Sequence, residues 1–286
     1  MNDTSINQIL GKLDKIATAL ENQNGVTTAT PPENWDLTRL WVWQACTLSL
    51  KPVQNNTEIL PLKLLIGLEQ QTETLLNNTM QFAEGFAANN ALLWGARGTG
   101  KSALTKAIHQ DAAQTHKNLH LIEIYREDLK TLTALLDILR AQNDHRFILF
   151  CDDLSFDEND SSYKSLKAVL DGGVQNRPDN VILYATSNRR HLLPRNMIEN
   201  ERSTAIHKNE AVEEKISLSD RFGLWLGFYN TDQDGYLAMI NGYGAFYGLK
   251  IDEKDALTWA MTRGNRSGRV AWQYIQHIAG QQKIKI

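Results

Sequence analysis

The chain has 286 residues, 42% apolar and 22% charged, with a net charge of −3. That is an ordinary globular balance, long enough for one large domain or a core with satellites, and it excludes a chain basic enough to bind polyanions over its whole surface. Two distant cysteines, Cys46 and Cys151, fit a reducing compartment.

The first residues, "MNDTSINQILGKLDKIATALE", have no basic region followed by an apolar core, and no apolar run approaches the ~18 residues of a membrane span. A cytoplasmic protein without a membrane segment is expected. Ile6, Ile9, Leu10, Leu13, Ile16 and Leu20 form one helical stripe, and "NQNGVTTATPPEN" then reads as a linker. The tryptophan-dense "WDLTRLWVWQA" is expected to complete a helical N-terminal module over residues 1–57, its aromatics packed inward; a partner-binding surface is the alternative.

From Glu58 the texture changes. "LPLKLLIGLEQQTETLLNNTMQFAEGF" reads as an apolar turn and a helix. Short apolar runs at 91–94, 119–125, 146–151 and 180–187 then alternate with helical patterns at 101–111, 128–141 and 162–171. Buried strands alternating with helices imply βαβ units and a parallel sheet. "LWLGF" (224–228) is a fifth candidate strand. Beyond it only helical patterns occur, at about 234–247, 252–262 and 267–282. The expected fold class is α/β: an αβα core over 58–229 with a five-stranded parallel sheet, and a small all-helical domain over 230–286. The mixed-charge segment 195–216 reads as an irregular excursion.

"GARGTGKS" fits G-x-x-x-x-G-K-[ST], after a strand and at the start of a helix, which is the context a phosphate loop needs. Backbone N–H groups from Gly95 through Ala96, Arg97, Gly98, Thr99 and Gly100, and on through Lys101 and Ser102 to Ala103, would cradle phosphates at the positive end of the helix dipole. Lys101 would reach the β- and γ-phosphates, and Ser102 would ligate Mg2+. Such a loop needs a carboxylate at the end of another core strand. "FILFCDDLSFDEND" supplies Asp152 to hold Mg2+ and Asp153 to orient or deprotonate water. Asp157, Glu158 and Asp160 read as solvated loop.

The combination resembles the AAA+ ATPases (ATPases associated with various cellular activities) from about Glu58 to Ile286. "LIGLEQQTETL" is similar to the segment whose turn packs against adenine, which implicates Leu65, Ile66 and Gly67. "YATSNRRHLLP" resembles the strand whose polar tip, here Asn188, positions the attacking water. "LSDRFG" resembles the arginine-finger segment, implicating Arg221, and "RGNRSGRVAWQ" the lid helix with a second sensor arginine, Arg269, with Arg266 as runner-up. A finger acting in trans implies a homo-oligomer, a ring or filament with heterologous contacts. Together with "LKAVLDGG", these segments are most similar to a bacterial AAA+ family catalogued as domain of unknown function 815.

The resemblance implies ATP hydrolysis with Mg2+, coupled to remodelling of a macromolecular partner. Two departures stand out. The strand ends in Asp-Asp where most of the superfamily has Asp-Glu, and "YREDLKTL" replaces an aromatic-apolar-glycine pore loop. Both favour the alternative of a nucleotide-gated adaptor, or loader, for a protein or single-stranded nucleic acid. Arg189, Arg190, Arg195 and Arg202 are either an anion-binding patch or surface ion pairs. "NTDQDGYLAMIN" imitates a calcium loop but ends in Asn241 where a bidentate glutamate is needed. His116 and His120 are expected in an exposed turn rather than a zinc site.

Overall fold

The computed structural model describes residues 29–53, 59–156, 162–170, 177–190, 192 and 218–286. One sheet of seven strands runs through the core: β1 (Leu40–Gln44), β2 (Ser49–Pro52), β3 (Ala91–Gly95), β4 (Leu119–Glu123), β5 (Arg146–Cys151), β6 (Val181–Ser187) and β7 (Leu224–Phe228). Their order is β2-β1-β4-β5-β6-β3-β7, and every neighbouring pair is parallel except β1 with β2. All five strands expected from the sequence form, and they carry the apolar runs that sheets buried on both faces require.

Alternation divides each strand between two cores. Leu93, Leu121, Ile148, Phe150, Ile182 and Tyr184 pack against α1 (Glu69–Ala83) and α2 (Lys101–Thr115) through Leu75, Phe82, Leu104 and Ile108. Leu92, Ile122, Phe147, Leu149, Val181 and Leu183 face the opposite side. There they meet Leu135, Leu136 and Leu139 of α3 (Leu132–Arg140) and Leu166 of α4 (Ser162–Leu170).

The tryptophan-rich segment corrects the helical expectation. Residues 35–37 make one 3-10 turn, and 40–44 and 49–52 are a strand pair that extends the sheet beyond β4. Trp41 and Trp43 are two apart, so both point into the same core, where Trp35 joins them. Aromatic and β-branched residues at a period of two are a strand signal. The aromatics do pack inward, and each indole N–H finds an acceptor: Gln142 Oε1 for Trp35, His120 Nδ1 for Trp41 and Thr131 Oγ1 for Trp43. The helical stripe of residues 6–20, the acids 157, 158 and 160, and Arg195 and Arg202 lie outside the described residues.

The lid consists of α5 (Gln233–Tyr247), α6 (Glu253–Thr262) and α7 (Gly268–Gln282), close to the sequence expectation. It has its own core of Tyr236, Ile240, Val270, Tyr274 and Ile275. Asp232, Asp252 and Ser267 cap the three helices with side-chain oxygens. The calcium-like stretch is thus a helix start: Asp232 Oδ1 accepts from Gly235 N at 2.8 Å. No helix among the described residues is long and apolar enough to cross a membrane.

His120 is not in an exposed turn. It is 0% exposed in β4, accepts from Trp41 at Nδ1, and faces His145 Nδ1 with its Nε2 at 3.0 Å. His109, buried in α2, places Nε2 3.3 Å from the Leu119 carbonyl. Burial holds both imidazoles well below the ordinary 6.5, to about 3 for His120 and about 4 for His109. Each therefore stays neutral in the fold while its unfolded counterpart takes up a proton below 6.5, so stability is full above that pH and falls as pH drops toward the folded values. At pH 5 the loss is about 2 kcal/mol per histidine. Urea denaturation at pH 7.5 and 5 is expected to show it, and His120→Gln to remove about 2 kcal/mol of the difference.

Candidate active site

The loop between β3 and α2 takes a path that only glycine allows at its start. Gly95 has φ 139°, and a Cβ there would lie 1.9 Å from the Phe228 carbonyl oxygen. That closeness lets Ala96 N donate to the same oxygen at 3.2 Å. Gly98 and Gly100 also have positive φ, 78° and 95°. Lys101 opens α2 and is only 7% exposed. Its Nζ donates to the carbonyls of Gly95 at 2.9 Å and Ala96 at 2.6 Å, and to Asn188 Oδ1 at 3.4 Å. Burial lowers its pKa, while the charges of Asp152 and Asp153 oppose that shift.

β5 delivers three residues of different character. Cys151 is buried, and desolvation pushes its thiol up to about 12, so it is an inert core residue. Asp152 Oδ1 accepts from Ser102 Oγ and from Thr186 Oγ1, both at 2.5 Å. Asp153 has φ 52°; its N–H donates to Thr186 Oγ1 at 2.9 Å, and its Oδ1 accepts from Asn188 Nδ2 at 2.5 Å. The loop after β3, the acids that follow β5 and the tip of β6 therefore form one continuous polar chain.

The lid closes the other side. Arg269 N donates to Gly98 O at 3.1 Å, bringing the start of α7 onto the glycine-rich loop. Ile66 lies against α5 at Gly242, where a Cβ would be 2.3 Å from its Cδ1. Between core and lid is a cleft of about 1290 Å³. Of the expected residues, Leu65, Ile66, Arg97, Gly98, Thr99, Gly100, Lys101, Ser102, Ala103, Asp152, Asp153, Asn188 and Arg269 line it. Gly67, Gly95, Ala96, Arg266 and Arg221 are outside the lining; Gly95 and Ala96 meet the site through their carbonyls, which accept from Lys101. Arg221 follows a short helical turn at 218–220, just before β7. Of the arginine pair after β6, Arg190 lies over the Trp94 ring at 5.3 Å.

Several lining residues were not anticipated. Thr186 is one; Tyr243, Tyr247, Trp272 and Ile286 are others, at the apolar end of the cleft with Ile59, Leu60 and Met239. The Trp272 ring centroid lies 5.7 Å from that of Tyr243 and 5.8 Å from that of Tyr247. Trp272 stands three residues after Arg269 on α7, so helical spacing could have found it. Nothing in the sequence marks Ile286. Among the described residues no cluster of three or more His, Cys, Asp or Glu side chains could hold a metal. A single carboxylate bonded to a hydroxyl, Asp152 with Ser102, instead fits Mg2+, which keeps most of its waters and takes few protein ligands.

The family model described as "Protein of unknown function (DUF815)" matches residues 37–282. The chain belongs to the DUF815 family. No curated protein matches this DUF815 member. Among solved structures it is similar to the RuvB Holliday junction branch migration motor of Thermotoga maritima, with a TM-score of 0.53 and 17% identity over 78% of this chain and 66% of that one. It is also similar to the ORC1 protein of Aeropyrum pernix in complex with DNA, with a TM-score of 0.53 and 15% identity over 77% of this chain and 63% of that one. The DUF815 chain thus spans about two thirds of each of these solved chains. Its fold is that of the AAA+ P-loop ATPases, with a sheet longer by β1 and β2 than the five-stranded core expected.

Gly95→Ala tests the frame directly. A methyl group would be driven into the Phe228 carbonyl at a strained φ. The variant is expected to lose at least about 4 kcal/mol in chemical denaturation, or to fail to fold.

Proposed function

We propose that this protein binds ATP with Mg2+, hydrolyses it, and uses the turnover to remodel a macromolecular partner. The observation that carries the reading is the unbroken chain Ser102–Asp152–Thr186–Asp153–Asn188–Lys101 along one wall of the cleft. A chance glycine-rich turn would have no reason to face a pair of carboxylates linked to it through successive hydrogen bonds.

In this reading the roles follow from position. Lys101, now donating to the carbonyls of Gly95 and Ala96, turns its ammonium to the β- and γ-phosphates. Ser102 and Asp152 hold Mg2+, which when bound neutralises developing charge on the phosphate oxygens. Asp153 takes the proton of the attacking water, and Asn188, oriented by Lys101 at its Oδ1, aligns that water. Arg269 reaches the phosphates from the lid. The apolar end with Tyr243, Tyr247 and Trp272 takes the base. Arg221, outside this protomer's cleft, acts across an interface in a homo-oligomer, a ring or filament.

The second reading, a nucleotide-gated adaptor with slow turnover, is favoured by one feature. The segment after β4 is a 3-10 helix at Arg126–Thr131, docked by Arg126 Nη1 on the Ser155 carbonyl at 3.0 Å, instead of a projecting loop. RuvB is a Holliday junction motor and ORC1 was solved with DNA, so nucleic acid is one partner class to test, a protein the other. Filter binding with and without ATP at moderate salt decides the nucleic-acid version: no salt-sensitive binding in either state removes it.

Lys101→Ala is expected to weaken ATP binding at least about tenfold in equilibrium titration. Asp153→Asn is expected to bind ATP as the wild type does and to stop releasing phosphate; hydrolysis at the wild-type rate would show that Asp153 is not the base. Arg221→Ala should lower turnover by about a thousandfold with binding kept.

A further inference from the structure

Thr186 is 2% exposed near the end of β6 and makes three contacts with the segment that leaves β5. Its Oγ1 donates to Asp152 Oδ1 at 2.5 Å and accepts from Asp153 N at 2.9 Å. Its carbonyl accepts from Leu154 N at 2.7 Å. The residue enclosed by these contacts, Asp153, has φ 52°, a left-handed conformation that side chains with a Cβ avoid and that aspartate tolerates better than most.

The left-handed turn has a geometric consequence. Successive side chains of an extended strand point to opposite faces. Yet the carboxylates of Asp152 and Asp153 reach Thr186 and Asn188, two residues apart along one line on the neighbouring strand end. Only a break in alternation brings both acids to one side, and the break is at Asp153. The site also has an aspartate where a side chain one methylene longer would reach further.

The geometry points to Thr186 as a positioning residue for the hydrolysis proposed above. Its hydroxyl and carbonyl lock the left-handed turn at Asp153, and the turn delivers the shorter carboxylate to the cleft beside Asn188. The same hydroxyl holds Asp152 toward Ser102, so one side chain sets the bearing of both acids. Valine has the same shape and an equal liking for strands but lacks the hydroxyl, so Thr186→Val removes the lock while keeping the packing.

The test compares Thr186→Val and Thr186→Ser with wild type in kcat, in equilibrium ATP affinity and in melting temperature. Valine is expected to lower kcat by about 10- to 100-fold with the ATP Kd within about threefold, and serine to recover most of the rate. Wild-type kcat in the valine variant, equal loss in valine and serine, or a parallel loss of ATP binding would each overturn the inference. If Thr186→Val does not fold, Asp153→Glu decides. A turn set for aspartate makes glutamate about tenfold slower, and a glutamate variant at or above the wild-type rate overturns the inference. Asp153→Asn separates the two levels. Absence of ATP turnover in the wild type removes the hydrolysis reading, whereas full turnover in Asp153→Asn removes Asp153 as the base and this inference with it. A dead Asp153→Asn beside a fully active Thr186→Val removes this inference alone.

Discussion

Lys101 carries a cation into a place where only 7% of the residue is exposed, and the surrounding structure is arranged around that fact. Burial works against the charged ammonium. The carbonyls of Gly95 and Ala96 and the amide oxygen of Asn188 replace lost water, and Asp152 and Asp153 supply opposite charge. Each partner comes from a different place in the chain: the loop after β3, the end of β5 and the tip of β6. They converge because parallel strands β3, β6 and β5 are adjacent and end on the same edge of the sheet. The glycine at 95 is the backbone condition for this, since any side chain there would collide with β7.

The lid extends the same logic. Ser267 caps α7 and faces Gly98, and the same first turn brings Arg269 N onto the Gly98 carbonyl. Ile66, from the segment entering α1, docks where α5 has only a glycine. Lid and core are thus joined at the glycine-rich loop and at the apolar end of the cleft. A ligand filling both ends would touch both joints.

Most of this architecture was legible in the sequence because its signals are local. Buried strands read as apolar runs, and the phosphate loop, the three lid helices and the paired aspartates each sit within one short window. β1 was misread because "LWVWQ" is only five residues long, too short to separate a period of two from a helical stripe when Leu40, Trp41, Val42 and Trp43 are all apolar or aromatic. His120 was misread because its burial depends on Trp41, 79 positions away. Thr186 carries no motif of its own; its importance comes from strand adjacency, which places it beside residues 34 and 33 positions earlier. The aromatic end of the cleft joins α5, α7 and Ile286, a convergence no single window contains.

The most direct measurement is a crystal structure of the Asp153→Asn protein grown with ATP and Mg2+. The triphosphate is expected on the 95–102 loop, with Lys101 Nζ withdrawn from the Gly95 and Ala96 carbonyls to about 3 Å from phosphate oxygens, and Mg2+ beside Ser102 and Asp152. A triphosphate bound elsewhere, or one bound at the loop while Lys101 stays on those two carbonyls, would contradict this arrangement.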